Sequence, residues 1–455
     1  MTPYVATSGS SPVTTGEGDH PKDGEGGAHA RLHRGSKISS PGAPWLRARA
    51  ESLLHALVAL WIFCGGLVIT EPSPYEFAFL LVLGVSLFAG FAFHRRTLGL
   101  FVLLAAFVPF ALIAAFQVRY NGLVDSLIYQ AVTIFLFFTA WWVANYVAED
   151  PEPRMRLIFG AYLATALLSA ILGTLGYFGI GHDLFTRYDR AKAFFNDPNV
   201  YGPFLVLPAM VALQRVFTGD PKRIAWNIAA YGILTIGVFM SFSRAAWGHI
   251  AISSLIVFVL VFALEAKARH KVRMLTLSLV GALALVVAIG GALSIPSLSA
   301  FIELRTQSQN YDTGESGRFG RQGYAFDLAL QNPLGLGPLE FRNLRVKEEP
   351  HNTYVNVLHA YGWGGGLALI LFVGVTIWRG ATFLARPGPL RPLLIPLVAV
   401  FVPLSAEAAI IDVDHWRHFF LVGGLIWGVT AAWQPATRSA LPRSAAMSQG
   451  VAKSS

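Results

Sequence analysis

The sequence carries little charge. Charged residues make up 13% of its 455 positions and hydrophobic residues 54%, whereas a soluble domain has about 25% charged residues. The composition therefore excludes an ordinary soluble protein and indicates a membrane protein. The single cysteine, Cys64, lies in an apolar run and cannot form an intramolecular disulfide, so cysteine usage does not report the redox compartment.

Motifs for soluble nucleotides are also missing. The sequence has no Walker A loop, no dinucleotide-binding glycine fingerprint, no GxSxG nucleophile elbow and no Asp-rich magnesium motif. We therefore expect no cofactor, no metal and no nucleotide as an energy source. Because no apolar segment directly follows Met1, we do not expect a cleaved signal peptide.

Long hydrophobic runs dominate the chain instead. A membrane helix needs about 20 apolar residues. Approximate cores of twelve such runs are residues 53–70, 75–93, 98–116, 126–147, 156–178, 199–217, 224–242, 245–264, 274–293, 354–378, 390–411 and 417–434. We predict an all-α integral membrane fold with about twelve transmembrane helices. Residues 1–44 and 436–455 are predicted to be disordered cytoplasmic tails, on either side of a membrane domain over residues 45–435.

The distribution of charge predicts an orientation. With both termini inside, 23 of the 35 Lys and Arg residues lie on cytoplasmic segments, and 16 of the 26 Asp and Glu residues lie outside. This asymmetry follows the positive-inside rule and explains the basic pI, so we expect no nucleic-acid partner. The one long polar interval, residues 294–353 between spans nine and ten, then becomes a periplasmic loop with short helices and a working surface.

Several outward arginines are candidate anion ligands, because arginine suits bidentate binding of phosphate oxygens. Arg244 lies in the segment SFSRAAW between two apolar spans, where a charge is usually paired or functional. The alternative is snorkelling to the interface. Arg318 and Arg321 precede an amphipathic helix that ends at the NPLGLG turn, and their alternative is contact with lipid headgroups. Arg190 lies on a shorter outward loop.

Polar residues next to two span starts are further candidates. Asn196 and Asn199 flank Asp197, the predicted N-cap of the sixth span, and amides at a helix N-terminus could bind a sugar or a phosphate. A plain helix start is the alternative. His351 precedes the tenth span and suits a general base near neutral pH, unless it is only an exposed histidine. Asn352 follows it as another substrate-binding candidate.

The last outward loop combines acidic and basic side chains. It contains Asp412, Asp414, His415, Arg417 and His418, without an HxxxH or CxxC core. We expect a solvated, salt-bridged turn here rather than a zinc site.

Five motifs, taken in chain order, resemble the bacterial O-antigen ligase/polymerase family. They are DPN (197–199), SFSR (241–244), GR (317–318) with NPLGLG (332–337), HNTY (351–354) and YGWGG (361–365). The family includes lipopolysaccharide O-antigen ligases and the polymerases of O-antigen, capsule and exopolysaccharide. Where relatives often have tryptophan four residues after the arginine, this chain has Gln322. Whether Arg318 or Arg321 matches the family arginine therefore stays open.

The resemblance implies a metal-independent, inverting glycosyltransferase of the bacterial inner membrane, with its active site in the periplasm. The donor would be a glycan on undecaprenyl diphosphate, and the acceptor lipid A–core or a growing polysaccharide. Arg244 and Arg318, or Arg321 in its place, would hold the diphosphate, and His351 would activate the acceptor hydroxyl. Ligation and polymerisation both remain open. The alternative function is transport of a polysaccharide or another anionic substrate.

Overall fold

The structure is a computed structural model, and it describes only part of the chain. The described residues are 36–37, 44–294, 296, 299–300, 303, 314–315, 317–344 and 347–433. The predicted disordered tails therefore lie almost wholly outside the described residues, as does much of the first part of the long polar loop.

Helices make up most of the described chain, which confirms the all-α prediction. In chain order they are α1 Pro44–Cys64, α2 Pro74–Ala89, α3 Leu98–Ala115, α4 Leu123–Glu149, α5 Pro151–Tyr177, α6 His182–Phe185, α7 Pro198–Phe204, α8 Val206–Thr218, α9 Ile224–Met240, α10 Arg244–Leu264, α11 Ala268–Leu293, α12 Arg318–Gln331, α13 Thr353–Leu384, α14 Arg391–Glu407 and α15 Arg417–Ala432. Within the described ranges, 3-10 turns lie at Arg95–Thr97, Pro221–Arg223 and Phe341–Asn343. Two antiparallel ladders pair Ser36–Lys37 with Ala92–Phe93 and Thr186–Arg187 with Arg190–Ala191.

Each of the twelve predicted runs coincides with a helix, and the sixth is divided between α7 and α8. Among the described residues, seven helical segments are long and apolar enough to cross a membrane. They are Arg95–Ala115, Leu123–Glu149, Pro151–Tyr177, Pro198–Thr218, Pro221–Met240, Arg244–Leu264 and Thr353–Leu384. The chain is thus an all-α protein with several apolar helices of membrane-spanning length, and the number twelve stays a prediction.

Local sequence sets the ends of individual helices, as α2 shows. Ser73 is its N-cap, and the Ser73 hydroxyl accepts a hydrogen bond from the Tyr75 N–H at 3.2 Å. The Glu76 carboxylate accepts from the backbone N–H of Ser73 at 2.6 Å, which completes a capping box. The helix ends at Gly90, whose φ of 83° is the left-handed conformation that glycine adopts without strain.

Loops that follow alternate helices meet at one end of the bundle. Arg417, at the start of α15, bonds to Glu76 at the start of α2, with an Nε–Oε1 distance of 2.8 Å. Glu340 accepts the backbone N–H groups of Tyr120 and Asn121, between α3 and α4, at 3.0 and 2.8 Å. We call this end the cleft end, because a cleft opens there between the starts of α7 and α13.

The remaining loops meet at the other end, which we call the basic end. Trp433, just beyond the far end of α15, accepts a hydrogen bond from Arg96 at 2.6 Å. Arg391, at the start of α14, bonds to Glu265, just after α10, at 2.5 Å. The long helices therefore run between two separate groups of loops, as crossing segments of a membrane bundle do.

A break in α13 anchors α12 to the bundle. Gly362 has φ 72° and ψ 177°, so the helix is interrupted there. The turn after α12 pairs with the backbone groups near this break: the Leu336 N–H donates to the His359 carbonyl at 2.7 Å, and the Trp363 N–H donates to the Pro333 carbonyl at 2.9 Å. Backbone groups in an apolar interior need such partners. The NPLGLG and YGWGG motifs are therefore two halves of one junction.

We predict that Gly362→Ala destabilises the fold. An added Cβ would lie 2.7 Å from the Pro333 carbonyl oxygen, and a non-glycine residue at positive φ costs about 1–3 kcal/mol. Gly374→Ala is the matched control in the same helix, where a Cβ meets nothing within 4 Å. Thermal unfolding in detergent should show a clearly lower midpoint for Gly362→Ala alone. Equal midpoints for the two variants would contradict this account of the junction.

Candidate active site

A cleft of about 300 Å³ opens at the cleft end, where α7 and α13 begin and α14 ends. Its lining consists of Asp197, Asn199, Val200, Arg342, Lys347, Glu348, Glu349, His351, Ile411, Asp412 and Trp416. Three distant parts of the chain thus meet in one concave surface that is rich in charged groups. Two of the predicted site residues, Asn199 and His351, lie in this lining.

The start of α7 has the predicted cap. Asp197 is the N-cap, with its carboxylate accepting the Asn199 N–H at 2.7 Å, and Pro198 is the first helical residue. The side chain of Asn199 points to Arg190, whose Nη2 donates to its Oδ1 at 2.7 Å. Asn196 is exposed and outside the cleft lining. Substrate binding by either amide remains a prediction.

Arg190, an outward arginine to which the sequence assigned no specific role in the site, joins two of the motifs. It is only 7% exposed. Its Nε donates to the Ser241 carbonyl at 2.7 Å, while Nη2 holds Asn199. This guanidinium therefore ties the α7 start to the junction between α9 and α10. The one feature of the sequence that indicated a role for Arg190 is its place in a predicted outward loop, on a face that is net acidic.

Arg244 begins α10 directly after a tight junction. α9 ends at Met240 and Phe242 has φ 46°, so the chain turns within three residues. Tyr231 on α9 and Ser254 on α10 bond through their hydroxyls at 3.0 Å, which places the two helices side by side and antiparallel. The predicted separation into two helices is confirmed. Arg244 is exposed at this junction.

A cation in the first turn of a helix opposes the helix macrodipole. Ser243 already caps α10, since its side chain accepts the Ala246 N–H. Helix stability therefore does not explain an arginine at position 244. Arg244 lies three residues after Ser241. Because Arg190 bonds to both Ser241 and Asn199, Arg244 lies in the same part of the structure as Asn199.

A buried pair connects the Arg244 helix to the His351 segment. His249 on α10 has Nδ1 3.0 Å from the Glu407 carboxylate and Nε2 3.1 Å from the Val400 carbonyl. Both side chains are almost fully buried, and removing one partner of such a pair costs about 3–5 kcal/mol. One residue beyond Glu407, the Ala408 carbonyl accepts the Thr353 N–H at 2.8 Å. Arg244 and His351 are therefore linked through α14 at the same end of the bundle.

The imidazole of His351 lies between two carboxylates. Its Nδ1 is 3.6 Å from Asp412 Oδ2, and its Nε2 is 3.9 Å from Glu348 Oε2. The backbone has φ 55°, and the His351 carbonyl accepts from Gln322 Nε2 at 2.9 Å. Both distances are longer than a hydrogen bond, and each ring nitrogen has a carboxylate as its neighbour.

Glu348 brings the predicted arginines of α12 into the site. Arg321 is 3% exposed and forms an ion pair with Glu348. The hydrogen bond from Arg321 lowers the pKa of Glu348 below its ordinary value, and the nearby charges of Arg321, His351 and Arg318 lower it further. Arg318 is half-buried in the first turn of α12. The structure thus gathers Arg318, Arg321 and His351 around one carboxylate.

Gln322 and Asn352 connect α12 to the start of α13. Asn352 is the N-cap of α13, with its Oδ1 accepting the N–H groups of Tyr354 and Val355 at 3.1 and 3.2 Å. Its Nδ2 is 3.5 Å from Gln322 Oε1, and Gln322 also donates to His351. The position at which this chain departs from the tryptophan of relatives therefore holds the histidine segment in place. Substrate binding by Asn352 remains a prediction.

The expectation of a solvated turn before α15 is wrong in part. Asp414 and His418 are buried, at 1% and 4% exposure, and the salt bridge of Arg417 is formed with Glu76 on α2, outside the turn. Burial, helped by the nearby Asp412 charge, raises the pKa of Asp414 to about 8. Asp414 therefore carries a proton near neutral pH, and Asp412 is the carboxyl group that faces His351.

Comparison with known proteins identifies the segment that carries most of this geometry. Residues 229–370 match the family model described as O-antigen ligase. This segment belongs to the O-antigen ligase family. The match confirms the resemblance inferred from the motifs. A search of curated proteins finds no match to the chain.

The O-antigen ligase segment runs from α9 into α13 and includes Arg244, Arg318, Arg321 and His351. The match supports an O-antigen ligase-like membrane enzyme, and the matched family implies a glycosyltransferase-type activity with a lipid-linked glycan donor and a polysaccharide acceptor. Asn199 and Asp412 lie outside the matched segment, although they line the same cleft.

We predict that Asp414→Asn stabilises the enzyme increasingly as the pH rises. The folded wild type keeps a proton on Asp414 up to a pKa of about 8, whereas the unfolded chain releases it near the ordinary value of 3.8. The wild type therefore loses stability between these values, and the variant does not.

The difference in unfolding free energy should grow to a few kcal/mol between about pH 4 and about pH 8 and then stay constant. Chemical denaturation in detergent at several pH values measures it. Asp183→Asn, at a fully exposed carboxylate, is the control and should give a flat difference. A flat difference for Asp414→Asn would show that the carboxyl group is ionised in the fold.

Proposed function

We propose that the chain transfers a glycan from undecaprenyl diphosphate to a carbohydrate acceptor at the periplasmic face of the bacterial inner membrane. The observation that carries this proposal is the placement of His351 in a cleft, between carboxylates, with Arg318, Arg321 and Arg244 at the same end of the bundle. One imidazole and several guanidinium groups are what proton removal from a hydroxyl and stabilisation of a diphosphate leaving group require.

The proposed topology has twelve spans with both termini in the cytoplasm. Loops that follow odd-numbered runs meet at the cleft end, and loops that follow even-numbered runs meet at the basic end. This alternation supports twelve crossings. The charge asymmetry of the sequence then assigns the cleft end to the periplasm.

Arg244 and Arg318 are the proposed diphosphate ligands. Arg244 opposes the dipole of its helix, and a diphosphate bound at the start of α10 would compensate its charge and complement the dipole. Arg321 is buried against Glu348, which suits a residue that positions the carboxylate and His351. We therefore assign the family arginine to Arg318.

In the proposed reaction, the acceptor hydroxyl gives its proton to the imidazole of His351. The hydroxyl oxygen attacks the anomeric carbon from the side opposite the diphosphate, so the configuration inverts. The bond from that carbon to the diphosphate oxygen breaks, and the electron pair leaves with undecaprenyl diphosphate. Arg244 and Arg318 stabilise the negative charge that develops, which makes the proposed reaction metal-independent. Asp412 stabilises the imidazolium that forms.

We expect His351→Ala and Arg244→Ala to separate catalysis from binding. With purified enzyme and lipid-linked donor, His351→Ala should lower turnover about 10²–10⁴-fold, the usual contribution of a general base, and leave donor affinity nearly unchanged. Arg244→Ala should weaken donor binding. His182→Ala, at a half-exposed histidine in the short helix α6 and outside the cleft lining, is the matched control and should retain activity.

Unchanged donor affinity in Arg244→Ala would falsify its diphosphate role. A transporter would keep moving substrate across a vesicle membrane when His351 is replaced, so retained movement without any transfer product would refute the enzyme proposal.

Deletion of the gene distinguishes ligation from polymerisation. If the protein is a ligase, the deletion strain should accumulate long polymer on the lipid carrier, because polymerisation continues without transfer to the acceptor. If the protein is a polymerase, the deletion strain should accumulate single repeat units on the carrier. The measurement is the separation of the cell's glycans by size and by lipid anchor. If the deletion strain has the wild-type distribution of size and of anchor, the protein is neither the ligase nor the polymerase.

A further inference from the structure

A second concave site lies at the basic end, far from the cleft. It has a volume of about 410 Å³ and lies between the end of α8, the turn Pro221–Arg223 and the first turn of α11. Arg269, His270 and Arg273 line it from the α11 side. None of the motifs that carry the family resemblance lies here, and the proposed reaction does not use it.

The basic groups of this site are only partly satisfied by the protein. Arg269 and Arg273 are one helical turn apart on α11, so their like charges lie on one face and repel. Arg273 Nη1 donates to the Gly219 carbonyl at 3.2 Å. Its Nε and Nη2, and Nδ1 of His270, are buried without a hydrogen-bond partner within the described chain. A buried polar group without a hydrogen-bond partner destabilises the fold, so a ligand that supplies acceptors here would be bound favourably.

The acidic side chain in the lining does not neutralise these arginines. Asp220 Oδ1 accepts the backbone N–H of Lys222 at 3.0 Å as a helix cap. Across the residues that the structure describes, no ion pair joins Asp220 to Arg269 or Arg273. An anion with several oxygens would supply the missing acceptors and reduce the repulsion between the two guanidinium groups.

An apolar stripe continues from the site along α11. It consists of Val272, Leu275, Leu279, Leu283 and Val286, which are 56–73% exposed. Their spacing of three and four residues places them on one helix face. Alkyl chains would cover such a stripe, whereas a free inorganic anion would not. The neighbouring phosphate-binding groups and alkyl-binding face therefore fit the two parts of one phospholipid.

We propose that this site binds the phosphate headgroup of an anionic phospholipid in the leaflet opposite the cleft, with its acyl chains along α11. The lipid would fasten the base of α11 to the end of α8, where the protein itself contributes the hydrogen bond from Arg273 to the Gly219 carbonyl. Because α11 leads into the loop before Arg318, this lipid would stabilise the helix from which that loop starts.

Thermal unfolding of the purified full chain tests the proposal. Phosphatidylglycerol added to detergent should raise the unfolding midpoint by a few degrees more than phosphatidylcholine does. The double variant Arg269→Gln/Arg273→Gln should lose most of that difference and should retain one phosphatidylglycerol fewer in native mass spectrometry. The control Arg95→Gln/Arg386→Gln removes the same charge from exposed positions outside the site and should behave as the wild type.

Equal responses to phosphatidylglycerol in the two double variants would overturn the proposal. Inorganic phosphate forms a separate arm: if it alone reproduces the full shift, the ligand is a soluble anion and the lipid assignment is wrong. If the Arg269/Arg273 double variant does not fold, Arg269→Gln is used in its place, since it leaves the bond from Arg273 to Gly219 intact.

Discussion

The interrupted helix α13 is the feature on which the site depends. A polar backbone group in an apolar interior must find a partner within the protein, and the break at Gly362 is accommodated by backbone bonds to the turn after α12. Trp363 adds a bond from its indole N–H to the Ala329 carbonyl at 2.7 Å. At the other end, Gln322 holds the His351 carbonyl. α12 is therefore fastened at both ends to the segment that carries the histidine.

This arrangement explains how arginines in a long polar loop reach a defined position. The loop supplies charge, but charge on a free loop would be solvated and mobile. Fastening α12 to α13 places Arg318 and Arg321 in the first turn of a held helix, next to Glu348. Preorganised charge of this kind costs no reorganisation when a leaving group develops negative charge. The same backbone bonds that relieve the helix break therefore also prepare the site.

The acidic residues of the cleft end have different tasks because their burial differs. Glu348 stays ionised among positive charges, whereas burial keeps a proton on Asp414 near neutral pH. Asp412, with 19% of its side chain exposed, is the group that faces His351. Deeper in the bundle, His249 Nδ1 lies 3.0 Å from Glu407 Oε2 and joins α10 to α14. A basic neighbour or a bound proton lowers the cost of placing these carboxyl groups in a low-dielectric interior.

Local sequence patterns account for the helices and their ends, and they predict an orientation. Apolar runs near 20 residues predict helices wherever they occur, an N-cap such as Asp197 acts within its own first turn, and charge asymmetry between loops is a property of composition. Tertiary structure decided which side chains meet. Arg190 and Ser241 are 51 residues apart in the chain, and His249 and Glu407 are 158 apart. Asp414 is more deeply buried than Asp412 because of the helices that pack around it. No local pattern encodes this difference, because the desolvation of a group depends on everything packed around it.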